Sequence, residues 1–162
     1  MKVLFLDVDG VLNSKSYVRR AGGTFNHGAK ILPDMDPHMA RNLHMLDPEP
    51  CGRLHRILSV TGAKVVLSSS WRYGTTTVEM AELLRLRGCT THFVGWTPTL
   101  NLYRGRGKEI DAWLKVNPEV TQFAIVDDDS DMDPHMDRLV KTSWDTGMLD
   151  EHADRLIQML SP

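Results

Sequence analysis

Three short polar clusters in this sequence carry side chains able to do chemistry: Asp7-Val8-Asp9-Gly10, Ser68-Ser69-Ser70 and Asp127-Asp128-Asp129. Each follows an apolar run, Val3 to Leu6, Val65 to Leu67 and Phe123 to Val126. Runs apolar on both faces read as interior strands of a parallel sheet. Ligands of such sheets sit beyond the carboxyl ends of the strands, where the strand order reverses, so the three clusters are expected to converge. Carboxylates brought together repel unless a cation joins them, and hard oxygen donors favour Mg²⁺, which keeps several waters and a substrate phosphate. Serine hydroxyls donate to phosphate oxygens, and Arg106 or Lys108 would neutralise charge that develops during transfer.

The elements that must position these residues follow from the rest of the pattern. Strands are predicted at Lys2–Leu6, Lys64–Leu67, His92–Gly95, Phe123–Val126 and Leu139–Val140. Asp36 before Pro37 is a helix N-cap, with Met39, Leu43 and Leu46 following at helical spacing. Pro48 and Pro50 are expected to break that helix, after which Leu54, Ile57 and Leu58 form a second, ending near Gly62. Thr76 and Glu79 make a capping box for a helix ending at Gly88. Further helices are predicted from about Gly107 to Val116 and from Leu149 to Leu160, and 13–33 reads as loop or a loose hairpin. Strands alternating with helices give a Rossmann-like three-layer α/β/α fold, with a central parallel sheet of about five strands. The expectation is one domain over 1–162, with a small loop and helix insertion at about 13–63.

Composition excludes several alternatives. Hydrophobic residues make up 41% and charged residues 25%, which is ordinary for a globular domain. The net charge of −2 does not advertise a nucleic-acid binder in bulk. Cys51 and Cys89 lack metal-ligand spacing, which points to a reducing compartment without a disulfide framework. Asp7 and Asp9 interrupt the opening apolar run before a signal sequence can form, and no stretch reaches the ~18 apolar residues of a membrane helix. No membrane association and a cytoplasmic location are the resulting expectations. Counted from Asp127 as a calcium loop, position 6 is Met132 rather than Gly and position 12 is Arg138 rather than Glu, so that reading fails. Asp131 is held as a secondary ligand candidate.

The order and identity of these residues resemble the haloacid dehalogenase (HAD) superfamily of phosphatases. Asp7-Val8-Asp9-Gly10-Val11-Leu12 is similar to its first motif, Ser68 or Ser69 after Val65-Val66-Leu67 to its second, the run Arg104 to Ile110 to its third, and Ala124-Ile125-Val126-Asp127-Asp128 to its fourth. The resemblance implies Asp7 as nucleophile and Asp9 as acid/base, with Ser68 and Lys108 completing the catalytic set. It implies Ser69, Arg72, Arg106 and Gly10 as substrate or phosphate contacts, and Asp7, the Val8–Asp9 backbone and Asp127 or Asp128 around Mg²⁺. Ser69-Ser70-Trp71-Arg72, Trp96-Thr97-Pro98 and the Arg-Gly-x-Glu-Ile run ending in Trp113-Leu114 resemble, more narrowly, small HAD domains associated with RNA-repair proteins.

Charge is segregated along the chain. From Val11 to Pro33 there are four basic residues and no acid, and from Leu83 to Lys108 five basic residues stand without an acid, while six acids lie between Asp127 and Asp137. A basic rim around an acidic, metal-binding centre suits a polyanion with a terminal phosphate. Neither interval between motifs holds a large cap domain, which in the resembled family goes with macromolecular ends or with caps lent by another subunit. The expected function is a Mg²⁺-dependent phosphomonoester hydrolase working through an aspartyl-phosphate on a nucleic-acid end or nucleotide. The alternatives are a small-metabolite phosphatase and a non-catalytic Mg²⁺ and phosphate-binding module.

Overall fold

The computed structural model describes residues 1–21, 35–100 and 105–161. Five parallel strands form one sheet in the order β3-β2-β1-β4-β5: β1 (Lys2–Leu6), β2 (Lys64–Leu67), β3 (Phe93–Trp96), β4 (Gln122–Asp127) and β5 (Leu139–Lys141). Val3 to Leu6 are buried on both faces because β1 is the central strand. Progression reverses at β1, where β2 and β3 lie to one side and β4 and β5 to the other. The crevice between the ends of β1 and β4 is therefore the switch point of the sheet.

Among the described residues there are six helices: α1 (Lys15–Arg20), α2 (Pro37–Met45), α3 (Pro48–Thr61), α4 (Thr77–Leu86), α5 (Arg106–Lys115) and α6 (Asp150–Leu160). Leu4, Leu6, Val65, Leu67 and Val126 project to one face, against Leu54 and Ile57 of α3, Leu83 and Leu84 of α4, and Leu156 and Leu160 of α6. Val3, Phe5, Val66 and Ile125 project to the other, against Ile110 and Trp113 of α5. Phe5 meets Trp113 and Phe123 edge to face at 5.5 and 5.8 Å, pairs each worth about 0.5–1.5 kcal/mol beyond their buried area. Among the described residues, α5 is the one helix in this second cluster, where Met132 of the loop after β4 joins it.

Three local expectations need correction. Pro48 and Pro50 start α3 rather than break a helix. First-turn N–H groups have no intrahelical acceptor, so proline costs nothing there, and Asp47 caps the turn by accepting from Glu49 N at 3.0 Å. Part of the segment read as loop is helix: α1 starts where the Ser14 hydroxyl accepts from Tyr17 N at 3.2 Å. The glycine-rich remainder of that segment lies outside the described residues. Strand β3 begins one residue later than predicted. The capping box at Thr76 and Glu79 forms as expected, with Glu79 N donating to the Thr76 hydroxyl at 3.2 Å. Cys51 and Cys89 are both buried free thiols.

Candidate active site

Strand register alone brings the three clusters together. Leu6 pairs with Leu67 on one side and with Val126 on the other, so Asp7, Ser68 and Asp127 leave three neighbouring strands at the same level. The ladder runs on into them: Asp7 N donates to Val126 O at 3.1 Å and Ser68 N to Leu6 O at 2.9 Å.

Arg106, in the first turn of α5, ties the cluster together. Its Nη1 donates to Asp7 Oδ1 at 3.1 Å and to the Ser68 carbonyl, and its Nε lies 3.6 Å from Asp127 Oδ2. The reach depends on two glycines. Gly105 N-caps α5 at φ +73, and a Cβ on Gly107 would run into the Met132 backbone, so α5 can lie hard against the loop after β4. Asp131, held at the sequence level as a secondary metal ligand, is used on this junction instead: its Oδ2 accepts from Arg106 N at 2.8 Å and its carbonyl from Gly107 N at 2.9 Å.

Oxygens of Asp7, Asp127 and Asp128 all lie within 4.8 Å of one another, and Asp7 and Asp127 are buried. Burial is the largest cause pushing Asp7 up to about 6, against the opposing pull of Arg106 and a hydrogen bond from the Ser69 side chain. Burial likewise pushes Asp127 up to about 7, with the Asp7 charge adding to it. Asp128 is raised as well, first by burial and then by the charge of Asp129. Two buried polar atoms here, Asp127 Oδ2 and Ser68 Oγ, have no hydrogen-bond partner among the described residues. Unpaired buried polar atoms are costly and call for a ligand. Crowded hard oxygens with one orphaned fit a divalent cation, and the orphaned hydroxyl fits an anion beside it.

The Asp9 side chain is not part of this carboxylate group. Its Oδ1 accepts from Asn13 Nδ2 at 2.8 Å and its Oδ2 from Trp71 Nε1 at 3.0 Å, so its side chain is held apart from the three-carboxylate group. Gly10 follows at φ +69, and a Cβ there would collide with the Asp128 carboxylate. Close approach of a carboxylate explains this glycine. The turn is closed by Asn13 Oδ1, which accepts from Gly10 N at 3.0 Å, and by the Thr142 hydroxyl, which donates to Gly10 O at 2.7 Å.

Two candidates fall elsewhere. Lys108 is exposed and outside the cluster, because side chains two apart on a helix face opposite ways and Arg106 takes the inner direction. Arg72, expected to meet substrate, has a side chain only 5% exposed, and both of its Nη groups are committed within the protein. Nη1 donates to the carbonyls of Ser68 and Ser69 at 2.8 and 2.9 Å, and Nη2 to Glu109 Oε2 at 2.7 Å and the Tyr73 hydroxyl at 3.1 Å. Arg72 and Glu109 thus lock the serine turn to α5, the helix that carries Arg106. The Ser69 hydroxyl also accepts from Trp71 N at 3.3 Å, capping the 3₁₀ turn Ser70–Tyr73.

The basic rim is thinner than charge counting implied. Lys15 pairs with Asp145, Arg20 with Asp47 and Arg85 with Glu82, while Arg87 donates to the Leu43 carbonyl. Lys30 and Arg104 lie outside the described residues. A cavity of about 890 Å³ at the amino ends of β2 and β3, around Lys64 and Phe93, contains none of the catalytic-type side chains discussed above. No described helix is long and apolar enough to cross a membrane.

Asn13, Trp71, Glu109 and Thr142 were not identified from sequence as holding this site. Trp71 and Glu109 carried a signal, their places in the Ser69-Ser70-Trp71-Arg72 and Arg-Gly-x-Glu-Ile runs. A family model described as "HAD domain in Swiss Army Knife RNA repair proteins" matches residues 3–153, which takes in all four motifs and the sheet apart from Lys2. No curated protein and no solved structure matches the chain.

Proposed function

We propose that this chain, which belongs to the HAD domains of Swiss Army Knife RNA repair proteins, is a Mg²⁺-dependent phosphomonoester hydrolase acting on a nucleic-acid end or nucleotide. Family membership supports a HAD-type phosphatase at the general level. The observation that carries the finer reading is the separation of two aspartates two residues apart. Asp7 is buried against Arg106 in the carboxylate group, whereas Asp9 is held out of it by Trp71 and Asn13. Environments that differ this much divide the roles of nucleophile and proton carrier.

In this reading Asp7 attacks phosphorus, the bond to the leaving oxygen breaks, and that oxygen takes a proton from Asp9. Water then attacks the aspartyl-phosphate and gives its proton to the Asp9 carboxylate, which frees phosphate and restores Asp7. Ser68 Oγ, with no partner of its own among the described residues, donates to a phosphate oxygen, and Arg106 offsets the charge that spreads over the transferring group. Asp7, Asp127 and Asp128 would hold Mg²⁺, which when bound supplies charge neutralisation and orients the phosphate. A nucleic-acid end or nucleotide is favoured because, among the described residues, helices α1 to α3 are all that separates the first motif from the second. The test is phosphate release from nucleotides, end-phosphorylated oligonucleotides and sugar phosphates, with Mg²⁺ or EDTA. Metal-dependent release fastest on the first two classes supports the reading, and a preference for sugar phosphates would overturn the substrate class.

Metal binding has its own readout. A carboxyl raised on folding contributes stability that is fully present below its unfolded pKa of ~3.9 and is lost as pH rises through the folded value. For Asp7 and Asp127 the loss runs up through about 6 and about 7. The cation-free protein is therefore expected to be less stable at pH 8 than at pH 5.5 on account of this site. Mg²⁺ at a hundredfold over its Kd should restore about 2.7 kcal/mol, a Tm rise of about 5–10 °C at pH 8, and much less at pH 5. A rise that is equal at both pH values, or retained in Asp127→Asn, would contradict this assignment.

A further inference from the structure

Beside Asp9 lies a cavity of about 310 Å³ bounded by α2 and the 3₁₀ turn, with His38, Asn42, Met45, Trp71 and Thr75 in its wall. Its volume is at the lower end for small-ligand sites. Asp9 is common to this cavity and the motif that carries Asp7. The proton carrier must touch the leaving oxygen, so a space that opens at Asp9 is where the remainder of the leaving group must go.

The wall has the chemistry for one kind of occupant. The Trp71 indole and Met45 thioether offer apolar, polarisable surface to a flat ring. Asn42 is 8% exposed, and its Nδ2 donates to the Thr75 hydroxyl at 3.1 Å. Its Oδ1 can accept from a base amino group or a ribose hydroxyl. The exposed His38 ring, with Nε2 4.0 Å from where a Cβ on Gly74 would stand, borders the space.

We infer that this cavity is the leaving-group subsite, which takes the nucleoside of a terminal phosphomonoester, and that Trp71 is the positioning residue that aims Asp9 at it. This rests on the phosphatase reading above and extends it from the phosphate to the group that leaves. Trp71 touches two things at once: its Nε1 fixes Asp9 Oδ2 at 3.0 Å while its ring forms part of the wall. A nucleoside that fills the cavity would therefore press on the residue that orients the acid.

The test separates this role from a structural one through the leaving group. kcat/KM reports the steps up to the first irreversible one, the formation of the aspartyl-phosphate. p-Nitrophenolate leaves without help, whereas an alcohol needs the proton from Asp9, assistance typically worth 10²–10⁴-fold. In Trp71→Phe, the ratio of kcat/KM for glycerol phosphate to that for p-nitrophenyl phosphate is expected to fall about 10–100-fold, a shift that loss of packing alone would not produce. In Asn42→Ala, the ratio of kcat/KM for a nucleoside monophosphate to that for glycerol phosphate should fall about 10-fold, and inhibition by the free nucleoside should weaken equally. Should Trp71→Phe fail to fold, Asn42→Ala carries the test. Wild-type turnover with both ratios unmoved would overturn the subsite and leave the phosphatase standing. No hydrolysis of any of the three esters by the wild type would overturn both.

Discussion

Asp7→Asn is expected to lose phosphate release by a factor on the order of 10⁴ or more, the scale at which removing a nucleophile acts, while keeping its fold. The amide is nearly isosteric with the carboxylate and cannot form the acyl-phosphate. Stability should change little, because the charge removed is one that burial already disfavours: Asp7 is 5% exposed and pushed up to about 6. Arg106 loses one carboxylate but keeps Asp127 at 3.6 Å. A Tm within a few degrees of wild type at pH 8, with turnover gone on every substrate, is the predicted pair of results. Retained turnover would remove Asp7 from the chemistry, and a collapsed Tm would make it a structural residue.

Arg106→Ala should produce the second large effect, and Lys108→Ala is its control. Arg106 is the cation between two buried carboxylates, with its side chain 21% exposed, and it also donates to the Ser68 carbonyl. Removing it leaves Asp7 and Asp127 to repel each other without a positive partner. A buried charge stripped of its partner costs about 3–5 kcal/mol, and an arginine on a transferring phosphoryl group is worth ~10³-fold or more in rate. Both losses are predicted at pH 8. The stability loss should shrink towards pH 5, because the carboxyls raised by burial take up protons and no longer need the arginine. Lys108, exposed on the far side of the same turn, should tolerate alanine with kcat/KM within about threefold of wild type. The reverse ranking would return the cationic role to Lys108.

That contrast marks where the sequence was legible and where it was not. Strands β1 and β2 could be bounded to the residue because their apolar runs end in chemistry-bearing residues, and the convergence of Asp7, Ser68 and Asp127 follows from topology. Choosing between Arg106 and Lys108 required knowing which way α5 faces, and that depends on Gly107 lying against the Met132 backbone, a contact between distant parts of the chain. Arg72 misled for a related reason. A basic residue after a phosphate-type turn reads as a substrate contact until its buried partner, Glu109, is visible 37 residues on. Asn13 and Thr142 brace the Asp9-Gly10 turn from opposite ends of the chain, and neither type announces such a role. Pro48 and Pro50 could have been placed from sequence, since Asp47 before proline is the same signal that located α2 at Asp36-Pro37.

The chain's place among HAD domains of RNA repair proteins sets the central claim, that phosphate passes covalently through Asp7. The most direct measurement is acid quenching of the enzyme during turnover of phosphate-labelled p-nitrophenyl phosphate, whose phenolate leaves without a proton from Asp9, followed by peptide mapping. It should be run on wild type, on Asp7→Asn and on Asp9→Asn, in which hydrolysis of the intermediate is slowed. Acid-stable, base-labile label is expected on the peptide holding Asp7, strongest in Asp9→Asn and absent in Asp7→Asn. Turnover without label in Asp9→Asn, or label on another residue with Asp7→Asn still active, would contradict that claim.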